Sequence, residues 1–148
     1  MFFNFTNSIN YAIISIDATQ KWGQTLDKLI KVGKYNKNFN ELLGINITQE
    51  EIFRSKGLPA HLIKRNHNNC LKYIDYISDI IEHPDYIGIN PNEAGQSIEL
   101  VKRYKDNVLL GIKVDLSTNS LYISTMFDLQ ESKLQRRIHS GRLVKYEE

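Results

Sequence analysis

The chain has 148 residues, 41% hydrophobic and 24% charged, with a formal net charge of +2. That length suits one domain with a real core, the composition excludes a disordered or fibrous chain, and the small net charge excludes a strong global pull toward nucleic acid. Any nucleic-acid role therefore rests on a local basic surface.

The opening MFFNFTNSINYAIISID lacks a basic n-region, a long enough apolar core and a small-residue cleavage site, so it does not read as a signal peptide. No window approaches the roughly 18 consecutive apolar residues of a membrane span. The expectation is a soluble, cytoplasmic protein with no membrane contact. NYAIISID reads as a short strand and TQKWGQTLDKLIKVG as an amphipathic helix, with Trp22, Leu26, Leu29 and Ile30 at helical spacing and Gly33 as its stop. KYNKNFN is polar and reads as a loop. Residues 1–45 are thus an extension or subdomain before a main domain at 46–148, or part of one compact unit with it.

From Ile47 the patterns sharpen. ITQEE places Thr48 as a helix N-cap with Glu51 three residues on, the capping-box spacing. KGLPAH interrupts that helix, and Pro59 suits the first turn of the next. HLIKRNHNNCLKYIDYISDIIEHPDY carries Leu71, Ile74, Ile77 or Ser78, and Ile81 at 3.6-residue spacing, and Pro84 ends it at or before His83. Cys70 within it permits no intramolecular disulfide and reads as a half-buried free thiol. SIELVKRY alternates, with Ile98 and Leu100 on one face and Ser97, Glu99 and Val101 on the other. NVLLGIKVDL places Val108, Leu110, Ile112 and Val114 opposite Leu109, Gly111 and Lys113, and STNS turns the chain into LYISTMF as a hairpin. LQESKLQRRIH is a last helix, with Gly141 at its C-cap. The order predicts an α+β fold: helices packed on one face of a small antiparallel sheet, the other face free to bind.

The ordered set HLIKRNH, HPDYIGINP, SIELVKRYKDNVLLGIKVDL, SLYISTMFDL and KLQRRIHSGRL, over about residues 47–144, resembles the phage-associated branch of the barnase, EndoU, colicin-type tRNase and RelE-like nuclease superfamily. The resemblance implies a metal-independent ribonuclease without cofactor. It also implies N-terminal helices on a four-stranded antiparallel sheet, with the catalytic surface on the open concave face.

Cutting RNA without a metal requires taking the proton from a 2′-OH, stabilising a phosphorane and protonating the leaving 5′-oxygen. Imidazole suits both proton transfers near neutrality, and Lys and Arg suit the phosphate, Arg through its bidentate fork. His61 and Arg65, four apart, share a helix face and are expected to act together; Lys64 and His67 occupy a neighbouring face. His67 is a second acid/base or a cap at the break before Asn68, and a helical His is often simply a surface or cap residue. Ser97 and Glu99 face the open surface, Glu99 as a general base, as an orienter of a His or Arg, or as a cross-strand partner of Lys113. Thr125 shares the face of Leu121, Ile123 and Phe127, so Ser124 is expected on the open side beside Tyr122. The expected catalytic set is therefore His61, Arg65, His67, Glu99 and Ser124. Lys64, Ser97, Lys113, Tyr122, Thr125, Arg137, Ser140 and Arg142 are the expected substrate contacts, the basic residues among them reading equally as a solvated helix face.

His61 and His67 are six apart, not the i,i+4 pair of a helical zinc site, and no metal ligands are expected. No Gly-rich phosphate loop joins a strand to a helix, and IKRNHNNCLKY lacks the long basic run of a non-specific DNA-binding helix. Two readings remain. One is a ribonuclease, a toxin, phage or defence effector acting on tRNA or ribosomal RNA, with a cognate antitoxin or immunity protein as partner. The other is a catalytically inactive relative that binds RNA or protein, for example an inhibitor of a host defence complex.

Overall fold

The computed structural model describes residues 29–92 and 97–148. The strand expected at NYAIISID and the Trp22–Leu26 part of the following helix lie outside the described residues.

The described residues form seven strands and four helices in the order β1 (Leu29–Lys34), α1 (Asn38–Leu43), β2 (Glu51–Ser55), α2 (Leu58–Lys64), a 3₁₀ segment (Asn68–Tyr76), α3 (Ile77–Glu82), β3 (Tyr86–Ile89), β4 (Ser97–Arg103), β5 (Asn107–Asp115), β6 (Ser120–Asp128), α4 (Glu131–His139) and β7 (Leu143–Lys145). One sheet takes all seven strands in the order β1-β2-β6-β5-β4-β3-β7. Every neighbouring pair is antiparallel except β2 and β6, which run parallel through Ile52↔Leu121 and Phe53↔Tyr122.

The expected four-stranded antiparallel sheet under N-terminal helices is therefore corrected to a seven-stranded mixed sheet, although the α+β class holds. Four short strands, β1, β2, β3 and β7, join the three read from SIELVKRY, NVLLGIKVDL and LYISTMF. LIKVGK continued a helical spacing in the sequence, yet it runs as an edge strand on β2, with Ile30 opposite Arg54 and Val32 as the extra residue of a bulge before Gly33. The capping-box spacing at ITQEE starts no helix, because Ile52 is buried in the sheet and its tertiary packing outweighs the local cap. YIGI after Pro84 and LVK after Gly141 are too short to show a period. KYNKNFN, expected as loop, contains the start of α1, whose Phe39 is buried against the ring of Tyr146.

The single long helix expected from His61 to His83 is broken. Asn66 lies in the left-handed region at φ 62°, which Asn tolerates better than most residues, and Asn68 and Asn69 lead into 3₁₀ geometry before α3 begins at Ile77. The apolar spacing still does its work. Leu62, Cys70, Tyr73, Ile77, Ile80 and Ile81 pack on Ile98, Leu100, Leu110, Ile112, Leu121 and Met126 to form the main core. Each fully buried Leu or Ile contributes about 1.5–3 kcal/mol. Cys70 is wholly buried rather than half-buried, and burial pushes its thiol up to about 12, so it is unreactive near neutrality.

Alternation sends the remaining residues of the central strands to the opposite face. There Val101 and Leu109 meet Leu129, Leu134 and Leu143, with Phe127 and Ile138 packed alongside. This smaller core seats α4 on one end of that face. The other end carries Ser97, Glu99, Gly111, Lys113, Tyr122 and Thr125, and α4 stands as a wall beside it.

Candidate active site

β4, β5 and β6 supply the floor. Ser97 pairs with Lys113, which pairs with Tyr122; one step along, Glu99 pairs with Gly111, which pairs with Thr125. Thr125 reaches this row through a bulge. The register passes from Gly111↔Thr125 to Ile112↔Ile123, leaving Ser124 as the extra residue. The face expected for Thr125 is thereby corrected: simple alternation set it with Ile123, and the inserted residue turns it to the Glu99 side. The Ser124 hydroxyl donates to the Gly111 carbonyl at 3.1 Å and so ties the bulge together.

Glu99 is the centre of the row. Its carboxylate is only 5% exposed, and a charge so placed needs compensation. Arg142 supplies it with a fork: Nε donates to Oε1 at 3.0 Å and Nη2 to Oε2 at 2.8 Å. Arg137 adds a longer contact from Nη1 to Oε2 at 3.5 Å. Burial, and then the charge of Arg142, lower the pKa of Arg137 against the opposing pull of Glu99, although a guanidinium stays charged in any working range. Two cations thus share one carboxylate, for a local excess of one positive charge. Arg137 makes a single long contact among the described residues, so most of its five donors remain available to an incoming anion.

Local structure explains how both arginines arrive there. α4 ends with the Ser140 N–H donating to the Arg136 carbonyl, and Gly141 at φ 83° takes the left-handed turn that a C-capping glycine provides. The Ser140 hydroxyl donates to the Arg137 carbonyl at 3.1 Å and accepts from the Arg142 N–H at 3.3 Å, so it organises the turn. Arg142 then crosses directly over Gly88. A Cβ on Gly88 would lie 2.0 Å from the Arg142 carbonyl oxygen, so only glycine admits this approach. Gly88 itself pairs with Glu99 on one side and Leu143 on the other. Asn90 at the end of β3 accepts from Arg142 Nη2 at 3.4 Å. Neither Gly88 nor Asn90 was among the expected site residues. The glycine in HPDYIG was their visible signal, but its meaning depends on a β7 too short to read from sequence.

The histidines separate. The His67 ring lies against Phe127, with centroids 5.6 Å apart, at the end of the face that carries the small core. His61, Lys64 and Arg65 are exposed on and just after α2, and none of their side chains has a hydrogen-bond or ion-pair partner among the described residues. The structure therefore places Glu99, Ser97, Lys113, Tyr122 and Thr125 on one face with Arg137 and Arg142 on Glu99, packs His67 against Phe127, and shows no contact joining His61, Lys64 or Arg65 to them. Among the described residues, no three His, Cys, Asp or Glu side chains cluster as a metal site would require. No described helix is long and apolar enough to cross a membrane.

The face thus holds a buried carboxylate paired with two arginines. The chain belongs to the phage-Barnase-EndoU-ColicinE5/D-RelE like nuclease 3 family, whose sequence profile matches residues 30–136. Comparison with curated proteins and with solved structures returns no match.

Proposed function

We propose that this chain is a metal-independent endoribonuclease that cuts RNA by 2′-OH transphosphorylation on the open sheet face around Glu99. The observation that carries this reading is the Glu99–Arg142–Arg137 cluster, a buried carboxylate beside guanidiniums with donors to spare. A phosphodiester entering the face competes with Glu99 for Arg137 and Arg142. As the guanidiniums turn to the phosphate, the carboxylate is released next to the ribose, where it takes the 2′-proton. The arginines hold the charge that develops on the phosphorane. Ser97, Lys113, Tyr122 and Thr125 line the floor for ribose and base, and His67 serves as proton donor to the leaving 5′-oxygen. tRNA or ribosomal RNA is the substrate proposed, with an antitoxin or immunity protein guarding the producing cell.

One observation favours the binding-only reading. Both Glu99 oxygens are engaged by Arg142 at rest, which is also how a purely structural ion pair looks. Incubating purified protein with total cellular RNA in EDTA separates the two. The enzyme yields discrete fragments with 2′,3′-cyclic phosphate ends and loses them in Glu99→Gln; a binder retains RNA on the column and leaves it intact.

A further inference from the structure

α4 divides its surface three ways. Leu134 and Ile138 face the sheet. Glu131 faces the β4–β5 turn, where its Oε1 accepts from Arg103 at 2.9 Å and from Asn107 at 3.1 Å. The third flank carries Lys133, Arg136, Arg137 and Ser140 at i, i+3, i+4 and i+7, the spacing of one continuous helical stripe, and Arg142 prolongs it past the turn. These residues line an open groove of about 790 Å³, with His139 at its side.

The stripe holds four fixed cations, and the carboxylate it touches is Glu99 at its inner end. Lys133 and Arg136 are exposed and have no hydrogen-bond or ion-pair partner among the described residues. Like charges at helical neighbour positions repel, and the helix's own acidic residue does not relieve them, because Glu131 is engaged on the other flank. Lys133 stands about 6 Å along the helix axis from Arg137, a rise comparable to the step between successive phosphates of a single strand.

We propose that the Lys133–Arg136 flank of α4 is a second phosphate-binding site, which carries the strand leading away from the phosphate held at Arg137 and Arg142. The ligand class is a single-stranded polyribonucleotide extending at least one or two nucleotides beyond the cut on that side. This rests on the reading of Glu99, Arg137 and Arg142 as the catalytic site. The groove recognises backbone charge, so it adds affinity without base preference.

The test is fluorescence anisotropy of the full chain with fluorescein-labelled 2′-O-methyl RNA of 3 and 12 nucleotides, which has no free 2′-OH and is not cut, across 50–300 mM KCl. Lys133→Ala/Arg136→Ala is compared with wild type and with Lys34→Ala/Lys56→Ala, which removes equal charge elsewhere. Losing two phosphate contacts makes the salt slope shallower by about 1.4 and weakens 12-mer binding roughly 10- to 30-fold at 0.1 M salt, with the 3-mer and the control pair unaffected. Equal weakening by both double variants means general charge alone and overturns the site. So does wild-type affinity in the stripe variant, the result expected if the flank serves an acidic protein instead. Cleavage by Glu99→Gln is scored separately: unchanged cleavage there, together with lost 12-mer affinity in the stripe variant, keeps this site and removes the catalytic reading.

Discussion

Replacing Glu99 by Gln keeps the shape and one acceptor oxygen but removes the charge that Arg137 and Arg142 share. Breaking a fully buried pair by removing one partner costs about 3–5 kcal/mol. Here the carboxylate is 5% exposed, but the arginines are 20–21% exposed and open to the groove, so water reaches them. We therefore expect about 2 kcal/mol of destabilisation, which lowers Tm by roughly 6–8 °C in a domain of this size. The sharper expectation concerns anions. With Glu99 neutral, the paired guanidiniums become a vacant dianion site, and sulfate bound with a Kd of about 1 mM restores roughly 1.4 kcal/mol at 10 mM. Thermal unfolding with sulfate, against NaCl at matched ionic strength, reads this directly. Refutation comes from a Glu99→Gln protein as stable as wild type, or from sulfate raising both melting temperatures equally.

Gly88→Ala forces a methyl against the Arg142 carbonyl, 2.0 Å from the ideal Cβ, so the β3–β7 contact opens. Unfolding assays are expected to show a loss of about 1–3 kcal/mol, with RNA cleavage falling further than stability alone explains because Arg142 leaves Glu99. His67→Ala is expected to reduce cleavage at least tenfold while His61→Ala changes it little, since His67 packs on Phe127 of β6 and the exposed His61 has no side-chain partner among the described residues; equal effects in a cleavage time course would reverse that assignment. At the C-terminus, His83 Nδ1 lies 2.7 Å from Glu148, and this hydrogen bond raises the His83 pKa above its ordinary 6.5. A raised pKa means the contact stabilises fully below that ordinary value and fades as pH climbs through the folded one. NMR titration of the His83 ring is expected to move back toward 6.5 in Glu148→Gln, and no movement would remove the contact as cause.

The central strands and α4 were legible because each is long enough to show its period: SIELVKR, NVLLGIKVD and LYISTMFD alternate cleanly, and ESKLQRRIH turns Leu134 and Ile138 to one side. That placed Glu99, Ser97 and Lys113 on one sheet face, opposite Ile98 and Leu100, although Ser97 and Glu99 are buried there rather than open to solvent. What alternation does not carry is an inserted residue, so the bulge at Ser124 reversed the face expected for Thr125. Nor does it carry short edge strands, whose identity comes from a neighbour distant in sequence, as β7 borrows its partner from β3. The basic cluster in HLIKRNH was divided between two helix faces, with His61 and Arg65 expected to act together and His67 as a second acid/base or a cap at the break before Asn68. The left-handed Asn66 breaks the helix, leaving His61 and Arg65 exposed and His67 against Phe127. Arg137 and Arg142 carried no sequence signal beyond charge, because their convergence on Glu99 depends on Gly141 turning the chain and Gly88 letting it pass.

The most direct measurement is cleavage of total cellular RNA in EDTA by wild type, Glu99→Gln and Arg142→Ala, with fragment ends mapped. Discrete cuts bearing 2′,3′-cyclic phosphates in wild type, reduced at least a hundredfold in both folded variants, are what the Glu99 centre predicts. Intact RNA with folded wild type, or equal cutting by all three proteins, would contradict it.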